Sequence, residues 1–139
     1  MLLVDTNIVA YLLIAGDQTA AAQELRRRDP DWRSEAFLMV EFANVLAASI
    51  AAKRMNLGLA QQFLAEASSL LGGKLARISH ELVLATAAQY RISAYDARFI
   101  ALAHGLGRRL VTEDAKLCAA APALTQSLAQ ALAAVKEDA

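Results

Sequence analysis

Short apolar runs of strand length alternate with longer stretches of helical period along this chain, and that alternation restricts the fold more than any other feature. The strand-like runs are "MLLVD", a weaker "DWRSEAF", "KLARIS" and "RRLVTED", with one more short strand expected in the tail "ALTQSLAQALAAVKEDA". A short buried strand followed by a helix and then another strand is the repeating unit of a parallel sheet covered by helices, so the expected class is α/β. No internal repeat or low-complexity linker divides the 139 residues, and residues 1–139 are read as one domain.

The helical stretches carry recognisable ends. "TNIVAYLLIAG" is expected as a helix capped by Thr6 or Asn7 and stopped by Gly16, and "DQTAAAQELRRRD" as one capped by Asp17. In the latter, Glu24 stands at helical spacing from Arg27 and Arg28. "FLMVEFANVLAASIAAKRM" is hydrophobic on nearly all sides, which predicts a central helix. "NLGLAQQFLAEASSLLGG" closes on Gly72 and Gly73, "HELVLATAAQYR" follows Ser79 as cap, "SAYDARFIALAHGLG" ends on glycine, and "AKLCAAA" stops at Pro122. A frayed helix is expected last.

Composition removes several function classes. Hydrophobic residues make up 57% of the chain and the mean hydropathy is +0.33, but alanine accounts for much of this and favours helices rather than membranes. No stretch reaches the ~18 uninterrupted apolar residues of a spanning helix. The amino-terminal stretch lacks a basic flank and Asp5 interrupts it, so it reads as the first strand of a cytoplasmic protein rather than a leader. The single cysteine, Cys118, leaves no internal disulfide framework and fits a reducing compartment. Fourteen basic and fourteen acidic residues cancel, which argues against a non-specific nucleic-acid coat. Cations cluster at Arg26–Arg28, Lys53–Arg54 and Arg108–Arg109; solvated helix ends explain them, and a local basic surface stays open.

The acids are less easily placed on a surface. Asp5 ends the apolar run "LLVD", where an unpaired carboxylate costs several kcal/mol or stays protonated. Asp96, Phe99, Ile100 and Ala103 follow the i, i+3, i+4, i+7 pattern of one helix face, as do Asp114, Leu117, Cys118 and Ala121. Glu41, Asn44, Val45 and Ala48 repeat it. Each acid has a local explanation: helix capping for Asp5, a favourable dipole in the first turn for Asp96 and Asp114, and a buried arginine pair for Glu41. One shared cluster accounts for all four at once. In open parallel sheets the crevice lies beyond the carboxyl ends of the strands, where Asp5 and Asp114 are aimed.

Clustered carboxylates must be neutralised by protons or by a cation. Oxygen ligands suit Mg²⁺ or Mn²⁺ and disfavour Zn²⁺, and His80 and His104 do not form a metal-ligating pair by spacing. Such a site would hold a metal against a phosphate and activate a water. Thr6, Asn7 and Thr112 border the acids and would orient water or phosphate, or serve as turn and cap residues. A phosphohydrolase reading competes, although "VDTNI" lacks the second Asp two residues later that haloacid-dehalogenase-type phosphatases use. So does a non-catalytic module that grips RNA or a protein.

With these residues in hand, the chain resembles the PIN-domain ribonucleases, most closely the VapC-type toxins of prokaryotic toxin–antitoxin pairs. "LLVDTNIVAYLL" resembles the family's opening strand with its first acid, "VEFANVL" its central glutamate motif, "SAYDARFIALA" its third acidic motif and "LVTEDAKL" its fourth. All four occur in order along nearly the whole chain. The resemblance implies a PIN-like fold, a small parallel β-sheet of four to five strands flanked by helices, and a Mg²⁺- or Mn²⁺-dependent endoribonuclease. It assigns Asp5, Glu41, Asp96 and Asp114 to metal and catalysis. Thr112 corresponds to the hydroxyl residue of the fourth motif, and Thr6 with Asn7 follow the first acid as in much of the family. It also implies an RNA substrate, a homodimer, and a cognate VapB-type antitoxin whose carboxyl-terminal segment blocks the acidic groove.

Overall fold

The computed structural model describes residues 1–135; the final residues of the expected frayed helix, 136–139, lie outside the described residues. Five strands form one all-parallel sheet: β1 (Leu2–Val4), β2 (Trp32–Glu35), β3 (Leu75–Ala76), β4 (Leu110–Val111) and β5 (Thr125–Gln126). Their order across the sheet is β3-β2-β1-β4-β5. The chain thus winds outward from β1 to one edge, then returns to pair β4 on the other side of β1. The gap between the ends of β1 and β4 is therefore the point where the winding direction reverses.

Helices connect the strands. α1 (Thr6–Leu13) and α2 (Thr19–Arg28) lie between β1 and β2, and α3 (Phe37–Ala51) and α4 (Leu57–Leu71) between β2 and β3. α5 (His80–Tyr90) and α6 (Ala94–Leu106) lead to β4; α7 (Ala115–Ala120) and a 3-10 turn at Pro122–Leu124 lead to β5, and α8 (Leu128–Ala134) follows. β1 is buried along its length, with Leu3 and Val4 fully inaccessible. The core around it is built from Ile8, Trp32, Phe42, Ile100 and Leu110, among others.

Several local expectations are met and several are corrected. Ser79 caps α5 as expected, and Asn56 and Ser93, outside those expectations, cap α4 and α6 in the same way, each accepting a backbone N–H. Gly107 stops α6 in a left-handed conformation (φ 61°), which glycine adopts without the steric cost of a Cβ. Glu24 pairs with both Arg27 and Arg28, and these hold its carboxyl down at about 2. The cap of α1, however, is Asp5 rather than Thr6 or Asn7, because its side chain accepts the N–H of Thr6. That helix ends at Leu13, before Gly16: the hydroxyl of Thr19 donates to the carbonyls of Tyr11 and Ile14 and accepts from Gly16, which fixes a turn there. Asp17 does not cap α2, whose first residue is Thr19.

α3 departs most from its expected place. It buries only Leu38, Phe42 and Leu46, while Val40 is 59% exposed and Asn44 and Ala48 lie at the surface. The stripe Glu41, Asn44, Val45, Ala48 is therefore not a core face. Alanines raised the apolar count on every side, but they need no burial, and the helix flanks the sheet instead of occupying its centre. Truncating Leu3, inside β1, to alanine is expected to cost about 2–5 kcal/mol. Leu84→Ala, at a position 70% exposed, should stay within about 0.5 kcal/mol; urea unfolding of the two variants checks the contrast.

Candidate active site

Parallel pairing sets the site. Because β1 and β4 are neighbours in register, the residues after Val4 and Val111 emerge side by side at the same end of the sheet. The Asp5 N–H donates to the Val111 carbonyl (2.9 Å), extending the ladder by one step. Both oxygens of the Asp5 carboxylate are engaged. Oδ1 accepts from the Thr6 N–H (2.7 Å) and Oδ2 from the Thr112 hydroxyl (2.7 Å). Thr112 Oγ1 in turn accepts the Asp114 N–H (3.1 Å). Asp114 caps α7, its Oδ1 accepting from the amides of Lys116 and Leu117.

Two helices bring the remaining acids. Glu41, one turn into α3, accepts a hydrogen bond from the Thr6 hydroxyl on Oε1 (2.8 Å). Asp96 lies in the first turn of α6, where its N–H donates to Ser93. Asp5, Glu41, Asp96 and Asp114 all line one cavity of about 740 Å³ at the switch between β1 and β4. Thr6 and Asn7 also line it, and Asn7 Oδ1 is buried without a hydrogen-bond partner among the described residues. Phe37, Val40 and Tyr95 form an apolar side. Thr112 is fully buried and is not among the walls; its hydroxyl acts on Asp5 and on the Asp114 backbone.

The electrostatics follow from this crowding. Among the described residues no Lys, Arg or His lines the cavity. Burial raises the protonation range of Asp5 above the ordinary carboxylate value, opposed by its bonds from Thr112 and Thr6, while the charges of Asp96 and Asp114 push it further up. Glu41 is raised by burial, against the pull of the Thr6 hydroxyl, and then by Asp5, Asp96 and Asp114. Asp96 is raised by burial and by Asp114. The acids thus repel one another across shared space and have no internal counter-charge. Their all-oxygen chemistry suits a hard divalent cation. As they stand, no three acidic, histidine or cysteine side chains among the described residues close into a ready-made ion cage.

Other wall residues carry no mark in the sequence. Tyr95 sits beside Asp96, and its ring stacks on Phe37 with centroids 5.2 Å apart and planes 7° from parallel. The guanidinium of Arg98 lies over the Phe37 ring, and its Nη1 stands 3.6 Å from Oε2 of Glu35, which is itself buried. Only the position of Asn44, one turn after Glu41, offered a signal for a further polar wall residue.

Comparison with known proteins agrees with this architecture. The family described as PIN domain matches residues 2–122. The crystal structure of PAE2754 from Pyrobaculum aerophilum superposes with a TM-score of 0.76 at 21% identity, covering 96% of this chain and 94% of that one, a likeness of fold. No curated protein matches the chain in sequence.

A carboxyl whose protonation range is raised by folding stabilises the fold below its ordinary value, and that stability is lost as pH climbs through the raised one. Asp96→Asn, which keeps shape and removes charge, is therefore expected to raise the melting temperature at pH 7. The gain should vanish below about pH 4, where the ordinary carboxylate is itself protonated; thermal melts across that range check the sign.

Proposed function

The chain belongs to the PIN domain family, and from that premise we propose that it is a metal-dependent endoribonuclease, the VapC-type toxin of a type II toxin–antitoxin pair. PIN domains are in general nucleases that use divalent metal ions. One observation supports the assignment in this chain above others: four carboxylates from four separated segments share one cavity, and three of them are held above their ordinary protonation range.

The fit to a metal is one of donor type and charge: oxygen donors, an uncompensated negative field, and an orphaned buried Asn7 Oδ1 at the cavity. Asp5, Glu41, Asp96 and Asp114 are the residues that would hold Mg²⁺ or Mn²⁺. When bound, the ion would supply polarisation of a phosphoryl oxygen and a more acidic water for attack on the phosphodiester. The protein's own contribution is positional. Thr112 and Thr6 grip both oxygens of Asp5, so its carboxylate has one orientation. The Thr6 hydroxyl fixes one oxygen of Glu41, which lines the cavity. Asn7 offers an acceptor for a water or a ribose hydroxyl, and Thr112 acts as a positioning residue through Asp5.

The toxin role, a homodimer and a VapB-type antitoxin rest on the family resemblance, and a cytoplasmic location on the single Cys118 and on Asp5 interrupting the amino-terminal apolar stretch. An antitoxin segment that carries an arginine would suit a cavity walled by four acids and, among the described residues, no bases. Among the described residues no helix is long and apolar enough to cross a membrane.

Purified protein with Mg²⁺ or Mn²⁺ should cleave RNA, and EDTA should stop it. Asp5→Asn and Asp96→Asn should each lower cleavage by about 100-fold or more, in line with the several kcal/mol a metal supplies, while Asp96→Asn keeps a folded far-ultraviolet spectrum. A calorimetric Mn²⁺ titration should show a specific site in the parent that Asp96→Asn weakens. Cleavage that persists in both variants, in preparations free of contaminating nuclease, would overturn the assignment.

A further inference from the structure

A second cavity, of about 540 Å³, lies against the acidic one, and Phe37 and Val40 wall both. Its chemistry is of the opposite sign. Arg77, His80 and Arg98 line it, with Glu35 the single acid among its walls. Glu35 is 1% exposed and already faces Arg98 across 3.6 Å, so its charge is spent inside the protein. Arg77 and His80 are exposed, and Arg77 has no ion-pair partner among the described residues. Ser79, also in the wall, caps α5, whose first turn begins at His80.

Phe37 and Val40 form a ridge between the two cavities, and Tyr95, which lines the acidic one, stacks on Phe37. Tyr95 is 60% exposed and Val40 59%. Tyr95 is not loose, however, since its ring lies flat on Phe37, and Phe37 is backed by the Arg98 guanidinium. Arg98 in turn forms an ion pair with buried Glu35 at 3.6 Å, too long for a hydrogen bond. An exposed aromatic face held rigid from behind, with carboxylates on one side and cations on the other, has the form of a platform for a nucleobase. Base–aromatic stacking is tolerant of sequence because every base has a π face.

Resting on the ribonuclease reading, we propose that this ridge and the basic cavity form a substrate subsite for the RNA nucleotide next to the scissile phosphate: its base stacks on Tyr95, and the phosphate beyond it is held by Arg77 and His80. The strand then crosses from the metal-binding acids to the cations over Phe37 and Val40, and the Glu35–Arg98 pair is a positioning device for the platform. Tyr95 and Arg77 are the residues through which single-stranded RNA is gripped without the metal.

The test is binding of a short fluorescent single-stranded RNA to the full chain in EDTA, read by anisotropy as a function of salt, beside Mg²⁺-dependent cleavage by the same preparations. Tyr95→Ala should weaken binding about 5- to 100-fold, and Tyr95→Phe should restore most of it, because the ring and not the hydroxyl makes the contact. Arg77→Ala should weaken binding and flatten the slope of log affinity on log salt by roughly 0.7, the loss of one phosphate contact on a single strand. Melting temperatures of the variants separate lost contact from lost fold. If Tyr95→Ala binds as the parent does, or Tyr95→Phe is as weak as Tyr95→Ala, the platform is overturned; an unchanged salt slope in Arg77→Ala overturns the phosphate contact. A parent that cleaves RNA while the variants bind normally defeats the subsite alone, a parent that binds without cleaving defeats only the nuclease reading, and one that does neither defeats both.

Discussion

The hydrogen bond from the Thr112 hydroxyl to Asp5 joins the ends of the two central strands, and the rest of the site is arranged around it. Its 2.7 Å length places a charged side chain where β1 and β4 run out of backbone partners. The same hydroxyl accepts the N–H of Asp114, so one oxygen sets the spacing of two acids. A buried carboxylate is tolerable only when donors satisfy it. Here both oxygens of Asp5 are satisfied, yet the negative field of Asp96 and Asp114 still reaches it. Hydrogen bonding offsets only part of the desolvation at Asp5 and leaves the repulsion in place, which is the condition in which a site favours a cation.

Two of the four acids serve the fold and the cavity together. Asp5 begins α1 and Asp114 begins α7, each as a helix cap, and each also faces the shared space. The helix dipole favours a negative charge at these places, so the protein gains local stability from residues whose mutual repulsion works against it. Glu41 and Asp96 have no such double duty. Glu41 stands inside a helix, tied through the Thr6 hydroxyl to the first residue of α1, and Asp96 sits after a serine cap that already does the capping.

Much of this was legible in the chain. The alternation of strand and helix gave an all-parallel sheet, and the spacing of Asp96 and Asp114 against the buried Phe99, Ile100, Ala103, Leu117 and Ala121 pointed both acids at the interior. Glu41 was found by the same spacing for a wrong reason, since its stripe is half open and faces the cavity rather than the core. β3 and β5 fall inside "KLARIS" and the tail, where strands were expected, but each is only two residues long, an extent set by the ladder that β2 and β4 offer and not by any local pattern. The Glu35–Arg98 pair and the Tyr95–Phe37 stack were illegible for a related reason. Their partners are brought together by the packing of β2 and α3 against α6, and no spacing along the chain records that.

The strand order has a consequence for the chain as it is made. β1 is synthesised first but ends in the middle of the sheet, between β2 and β4. The contact that orients Asp5 spans 107 positions, and the ladder that holds Thr112 in place comes from Gln126. Domains fold as units during synthesis, and pairings this distant in sequence form late. Asp5 and Asp114 thus come to share one cavity only after the chain between β1 and β5 has folded.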